Sequence, residues 1–339
     1  MTRIVIIGDG AWGTALALVL ERGGHEVFLW TRFPAYAAEM RAKRENVKFL
    51  PGSRLPDGVR VVSGTPPPAD VYIAAVPTQF IRPTFTDLRG ALPPRPLIAC
   101  VAKGLEQSTG KRPSEILREA LGPARIVALC GPSHAPEVAK GLPASLSAAG
   151  EPAAAKAVQA LFRDSSIRVY TSGDRLGVEL GAALKNVIAL AAGISDGLGL
   201  GHNAKAALLT RGIVEMARLG CALGARRDTF FGLSGVGDLI TTTTFPSGRN
   251  LSVGRALGEG KKLDDVLGSM NAVAEGVWTT KAALALAKRH GVDMPITEEL
   301  HRILYEGKSA RAALKDLMHR EQKAEGAERE TRVRTRSRK

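Results

Sequence analysis

The chain has 339 residues, 45 % of them hydrophobic and only 5 % aromatic, with 37 glycines and a formal net charge of +14. That length allows two domains with separate cores, and the abundance of Gly and Ala favours closely packed helices in an α/β protein over an all-β one. Three widely spaced cysteines, Cys100, Cys130 and Cys221, sit in apolar runs, which excludes a disulfide frame and a zinc site and points to reduced core thiols in a cytoplasmic protein.

Residues 3–8, RIVIIG, predict a buried strand too short for a signal sequence or a membrane span. The strand runs into Gly8-Asp9-Gly10-Ala11-Trp12-Gly13 and then a helical pattern ending at Gly23-Gly24. Gly-x-Gly-x-x-Gly between strand and helix is a dinucleotide turn. Gly8 permits the tight bend, Gly10 lets the backbone approach a pyrophosphate, and Gly13 lets helix and strand pack closely, with the helix N-terminus facing the anion. The alternative is a merely structural glycine-rich turn.

Residues 25–32, HEVFLWTR, read as the second strand. It ends in Trp30-Thr31-Arg32-Phe33, without the Asp or Glu that an NAD site carries about 20 residues beyond its glycines. Arg32 can accept a 2′-phosphate, so NADP(H) is favoured over NAD(H); the alternative is an ordinary solvated arginine. Further strands are expected at 59–63, 71–76, 97–102, 126–130, 144–148 and 167–171, giving a mainly parallel sheet with helices on both faces. Ligands of such sheets bind beyond the carboxyl ends of the strands. There the chain reads Val76-Pro77-Thr78, Lys103-Gly104 and Gly131-Pro132-Ser133-His134-Ala135. Lys103 follows an apolar strand directly and belongs at the mouth of that crevice, unless it is an ordinary loop lysine.

After residue 172 the pattern turns helical, at 174–193, 203–224, 250–258, 279–290, 297–305 and 309–320. The expected fold is therefore α/β: an N-terminal Rossmann-type doubly wound sheet over residues 1–172, then an all-helical C-terminal domain over 173–320. In the first of these helices Leu176, Leu180, Leu184 and Ile188 make an apolar stripe. Beside it stands the row Gly177, Gly181, Lys185, Ala189 and Gly193, one lysine in a column of minimal side chains. The column leaves room for a backbone or a ligand; a surface lysine on an Ala-rich helix is the bland alternative. We expect it to face the nicotinamide crevice and admit substrate beside Lys185. Residues 196–203 and 231–250 read as irregular, the second a long polar loop with Asp238 and Arg249-Asn250, of the kind that is often functional. The basic tail, 321–339, ends in TRVRTRSRK and predicts a disordered extension whose only further use is contact with a polyanion.

Over about residues 3–305 the sequence resembles the bacterial NAD(P)-dependent sn-glycerol-3-phosphate dehydrogenases. The motifs are GDGAWGTALA at 8–17, HEVFLWTR at 25–32, AVP at 75–77, AKG at 102–104 and CGPSHAPEVAKGLP at 130–143. To these the helical half adds ELGAALKNVIALAAGISDGLGLGHNAKAALLTRG at 179–212, TFFGLSGVGDLITT at 229–242, SGRN at 247–250 and AEG at 274–276. The resemblance implies interconversion of dihydroxyacetone phosphate and sn-glycerol 3-phosphate and supply of glycerol phosphate for glycerophospholipid synthesis; the Ala- and Gly-rich helices of the second domain lead us to expect a homodimer packed across a two-fold axis. The resemblance also implies Lys185 as acid/base, with Asp238 and Lys103 beside it. Gly131, Ser133, Gly248, Arg249 and Asn250 then line the substrate. Ala11, Trp12, Arg32, Ala135, Val273 and Glu275 contact the cofactor together with the turn glycines, Lys103 and Arg249. One departure stands out: Gly248 occupies a place where the family usually has serine, with Ser247 one position earlier, so a hydroxyl near the substrate phosphate is missing or displaced.

A partly desolvated lysine among Gly and Ala suits this chemistry, because desolvation lowers its pKa towards neutrality. Two other readings compete. Ser133-His134 would serve a reductase of hydroxy or keto acids, and the basic tail would serve a nucleic-acid-binding module that kept the fold without the chemistry.

Overall fold

The computed structural model describes residues 1–246, 248–268 and 274–322. Eight strands form one sheet: β1 (Arg3–Ile7), β2 (Glu26–Trp30), β3 (Val59–Val62), β4 (Val71–Ala74), β5 (Leu97–Cys100), β6 (Arg125–Cys130), β7 (Ala144–Ala149) and β8 (Ile167–Ser172). Each lies where an apolar run predicts it. The order is β3-β2-β1-β4-β5-β6-β7-β8, parallel throughout except between β6 and β7.

The connecting helices are α1 (Ala11–Arg22), α2 (Pro34–Lys43), α3 (Thr78–Asp87), α4 (Pro113–Leu121), α5 (Ala135–Ala139) and α6 (Pro152–Ala160). Successive residues of β1 serve opposite faces of the sheet. Ile4 and Ile6 share a core with Leu16 and Leu20 of α1 and Val138 of α5, whereas Val5 and Ile7 share one with Ile81 and Phe85 of α3 and Ile116 of α4. Burial on both faces is why the central strands read as nearly unbroken apolar runs, whereas β8 alternates buried and exposed residues.

The second half is helical: α7 (Arg175–Gly197), α8 (Gly201–Ala222), α9 (Arg227–Phe230), α10 (Asp238–Thr244), α11 (Arg249–Gly258), α12 (Leu263–Gly268), α13 (Glu275–Arg289), α14 (Pro295–Tyr305) and α15 (Ala310–Met318). By length and composition α7 could cross a membrane, but 94 % of its apolar window is buried in the protein, as befits a core helix. Glu179 of α7 ties it to the sheet half, accepting from Ser114 N at 2.7 Å, Ser114 Oγ at 2.8 Å and Arg112 Nη1 at 2.8 Å at the start of α4.

Two stretches expected to be irregular are mostly helical. Only residues 198–200 separate α7 from α8, and 231–250 contains a π-helical turn (Leu233–Gly237), all of α10 and the start of α11. Glycine signals loops when its use is conformational, as at Gly199 and Gly201 with φ +69° and +80°; elsewhere here its use is space. A Cβ on Gly235 would lie 2.0 Å from Phe230 O. Where α7 crosses α11, a Cβ on Gly193 would lie 2.2 Å from Leu251 O, and one on Gly254 2.1 Å from Leu190 O. In the threonine run of α10 the hydroxyls of Thr243 and Thr244 are satisfied within the helix, donating back to Leu239 O (2.8 Å) and Ile240 O (2.7 Å). Cys100 and Cys130 are buried as expected, but Cys221 is exposed at the end of α8.

Candidate active site

The glycine turn leaves β1 at the point where the chain continues to β2 on one side of β1 while β4 lies on the other, the switch point at which such sheets bind ligands. Gly8 has φ +125°, and a Cβ there would strike Ala75 C and O at 2.7 Å. One on Gly13 would lie 2.2 Å from Gly8 O, so helix and strand touch backbone to backbone. Around Gly10, the N-cap of α1, a Cβ would meet nothing within 4 Å and no side chain caps the helix. The first-turn N–H groups of α1, from Ala11 and Trp12 onward, therefore have no side-chain cap competing for an anion. Trp12 Nε1 is buried without a partner. This cradle, shaped by absent side chains and edged by an orphaned donor, fits a dinucleotide.

Other expected cofactor contacts gather around it. Glu275 opens α13 and reaches the sheet half, its Oε1 accepting from Thr78 N at 2.7 Å where α3 begins. Thr78 Oγ1 lies buried and unpartnered beside it. Ala135 opens α5, directly after the Gly131–His134 bend. Arg32 is exposed and pairs with Asp87 at 2.8 Å. Val273 lies outside the described residues, as does the tail from residue 323.

Across the crevice one carboxylate joins two lysines. Lys103, just beyond β5, donates from Nζ to Gly131 O at 2.9 Å, Ser133 Oγ at 2.9 Å and Asp238 Oδ2 at 2.7 Å. Lys185, 5 % exposed in the middle of α7, donates to Thr242 Oγ1 at 2.6 Å, and its Nζ lies 3.3 Å from Asp238 Oδ1. Asp238 opens α10, and Thr242 stands one helical turn further on. Burial pushes the Lys185 ammonium down to about 8, against the pull of Asp238, and the positive charges of Lys103 and Arg249 add to the lowering.

The small column beside Lys185 does not open onto the crevice along its length. A Cβ on Gly181 would lie 3.1 Å from Ser234 O of the π-helical turn, and Gly193 is closed by α11. The column admits backbone on either side of the lysine, not substrate, and that enclosure strips its ammonium of water.

A chain of amides ties the site together. Gly276 N donates to Asn250 Oδ1 (3.0 Å), Asn250 Nδ2 to Asn186 Oδ1 (2.9 Å), and Asn186 Nδ2 to Lys103 O (2.7 Å). Sequence reasoning missed Asn186 and Thr242. Their signals were adjacency to Lys185 and one-turn spacing from Asp238. Arg249 opens α11 and is exposed. Gly248 caps that helix, and a Cβ there would lie 3.1 Å from Thr242 O, a tight place for any larger residue. His134 packs its ring on Phe245 at 3.6 Å and has Nδ1 3.5 Å from Glu137. Among the described residues no group of three or more His, Cys, Asp or Glu could hold a metal ion.

Two family profiles match the chain: NAD-dependent glycerol-3-phosphate dehydrogenase N-terminus over residues 3–156, and the C-terminus of the same family over 174–315. The glycerol-3-phosphate dehydrogenase (NAD(P)+) of Geobacillus kaustophilus is 50 % identical over 332 residues, 96 % of either chain. That of Chlorobium limicola is 47 % identical over 330 residues, covering 95 % of this chain and 99 % of its own. The crystal structure of glycerol-3-phosphate dehydrogenase from Coxiella burnetii superimposes with a TM-score of 0.88 at 36 % identity, covering 94 % of this chain and 99 % of that one.

Proposed function

Since the chain belongs to the NAD-dependent glycerol-3-phosphate dehydrogenase family, we propose that its crevice interconverts dihydroxyacetone phosphate and sn-glycerol 3-phosphate with NAD(H) or NADP(H). The chain is an oxidoreductase of that class. A reduced dinucleotide with its pyrophosphate at the glycine turn would supply, from its nicotinamide, the hydride for the ketone carbon. The protein must then manage the charge that grows on the ketone oxygen and hold the phosphate still.

Lys185 is the group we assign to that oxygen. Held between Thr242 and Asp238 and pushed down to about 8, it gives its proton to the oxygen in reduction and takes it back in the reverse direction. Asp238 orients it and balances its charge. Lys103, held by Gly131 O, Ser133 and Asp238, adds positive potential near the carbonyl. Arg249 suits the phosphate, since a guanidinium binds it with two parallel bonds. Asn250 already spends one Nδ2 hydrogen on Asn186 and keeps the other for the phosphate. Gly131, Ser133 and Gly248 line the rest. Binding at the remote phosphate positions the carbonyl.

The single observation that carries this reading is the Asp238 carboxylate shared between the ammonium groups of Lys103 and Lys185 at the crevice. A His134-based keto-acid reductase is disfavoured because it would leave this carboxylate and its two ammonium groups without a use. The test is Lys185→Ala. We expect kcat to fall by roughly 10³-fold or more with NADH and NADPH affinities little changed; near-normal turnover would overturn the assignment.

We further propose that the sheet half and helical half divide between residues 172 and 173. A cytoplasmic location and a place in glycerophospholipid supply complete the reading. Support for a homodimer comes from α8, which exposes the small residues Ala206, Ala207 and Thr210. No nucleic-acid role is assigned beyond polyanion contact by the tail.

A further inference from the structure

The acid that β2 lacks at its carboxyl end is supplied from the glycine turn. Asp9, between the first two glycines, places Oδ2 2.7 Å from the hydroxyl of Thr31, the residue that follows β2. Thr31 is fully buried and Asp9 half-buried, so this carboxylate sits at the rim where a dinucleotide site keeps its ribose-binding acid.

Asp9 is also fixed from behind. Asn46, fully buried, donates from Nδ2 to the Asp9 carbonyl at 2.6 Å and to Thr14 Oγ1 at 2.7 Å. Its Oδ1 accepts from Tyr36 OH at 2.6 Å and Phe49 N at 3.1 Å. With both amide hydrogens and the oxygen engaged, Asn46 has one orientation only. The Asp9–Gly10 peptide is trans, so tying its carbonyl to Asn46 turns the Gly10 N–H the opposite way. Asn46 therefore sets the backbone donor, and Thr31 holds the carboxylate.

Arg32 is the competing influence. It is exposed, and its pair with Asp87 is exposed too, so the pair is weak and the guanidinium can leave it for a phosphate. The contest is between a carboxylate held in place and a guanidinium on a free stem. A 2′-phosphate brings about −1.5 to −2 charges to the ribose, whereas a 2′-hydroxyl can donate to a carboxylate.

We propose that Asp9, held by Asn46 and Thr31, sets the choice of cofactor, accepting the ribose 2′-hydroxyl of NAD(H) and repelling the 2′-phosphate of NADP(H). The proposal rests on the reading of the glycine turn as the dinucleotide site, and it reverses the preference that Arg32 alone suggests.

The test is isothermal titration of NADH and NADPH into the full-length protein, Asp9→Ser and Asp9→Asn. The asparagine variant keeps the shape and a Thr31 contact while removing the charge, so it stands if the serine variant folds poorly. Wild type should bind NADH about tenfold more tightly than NADPH, and each variant should move the ratio about tenfold towards NADPH, mainly through tighter NADPH binding. A ratio within about twofold of wild type in Asp9→Asn, or a wild type preferring NADPH, overturns the role of Asp9. Failure of wild type to bind either dinucleotide overturns the underlying reading, and the proposal with it.

Discussion

The glycine turn and the lysine–aspartate centre are made in opposite ways. The turn is local and depends on atoms that are absent: Gly8, Gly10 and Gly13 act by letting backbone meet backbone or lie open. The centre is non-local and depends on charge. Lys103 and Asp238 are 135 residues apart in sequence, and Lys185 and Thr242 are 57 apart. A steric device can be written in six consecutive residues, whereas an electrostatic one exists only once distant elements pack and exclude water. Binding should therefore fail at the first region and chemistry at the second.

The largest separation comes from Asp238→Asn. It leaves two close ammonium groups without a shared carboxylate, and kcat should fall by roughly 10²- to 10⁴-fold with NADH affinity nearly unchanged. Next comes Gly13→Val. A Cβ there meets Gly8 O at 2.2 Å, so the turn must open, and dinucleotide affinity should drop by about 10²-fold, which titration of both cofactors would measure. If Asp238→Asn abolished cofactor binding, or Gly13→Val bound normally, the two regions would not be separable and the contrast would collapse.

The same contrast explains what could be read in advance. The central strands β1, β2, β4, β5 and β6 were legible because burial on both faces leaves them almost wholly apolar, β3 and β8 because exposed residues alternate with buried ones, and the turn because its glycines are adjacent. Lys185 stood out as one charge in a column of small residues, and the separate motif at 229–242 supplied Asp238. What the column faces was not legible. Gly181 and Gly193 read as room for substrate, but Ser234 and Leu251 fill that room with backbone. Nor could the helical turns at Leu233–Gly237 and Asp238–Thr244 be read, because glycine and threonine are poor helix formers by local propensity while tertiary packing decides.

The link from Asn46 to the glycine turn was not legible, since Asp9 and Thr14 lie 37 and 32 residues away. Buried carboxylates were equally silent. Glu215 of α8 meets the start of α14, accepting from Ile296 N and from Thr297 N and Oγ1, and burial pushes it up to about 7 against the pull of those donors. Such long-range caps follow from packing and leave no periodicity behind.

The finest test of the charge-based region is Thr242→Val, because it removes one hydrogen bond and no charge. Thr242 Oγ1 accepts from the Lys185 ammonium, so the hydroxyl favours the protonated lysine. Burial already sets Lys185 at about 8, with Asp238 holding it up. In the reduction direction the lysine must be protonated to donate, so kcat should decline as pH rises through about 8; in the oxidation direction it must be neutral, and kcat should rise over the same range. Without the hydroxyl both limbs should move to lower pH, and kcat for reduction at neutral pH should fall by about tenfold or less. A purely structural role for Thr242 would lower the whole profile without moving its midpoint. The direction of that shift, read from kcat against pH in both directions at saturating cofactor, tells whether Thr242 acts on the proton of Lys185 or only on the shape around it.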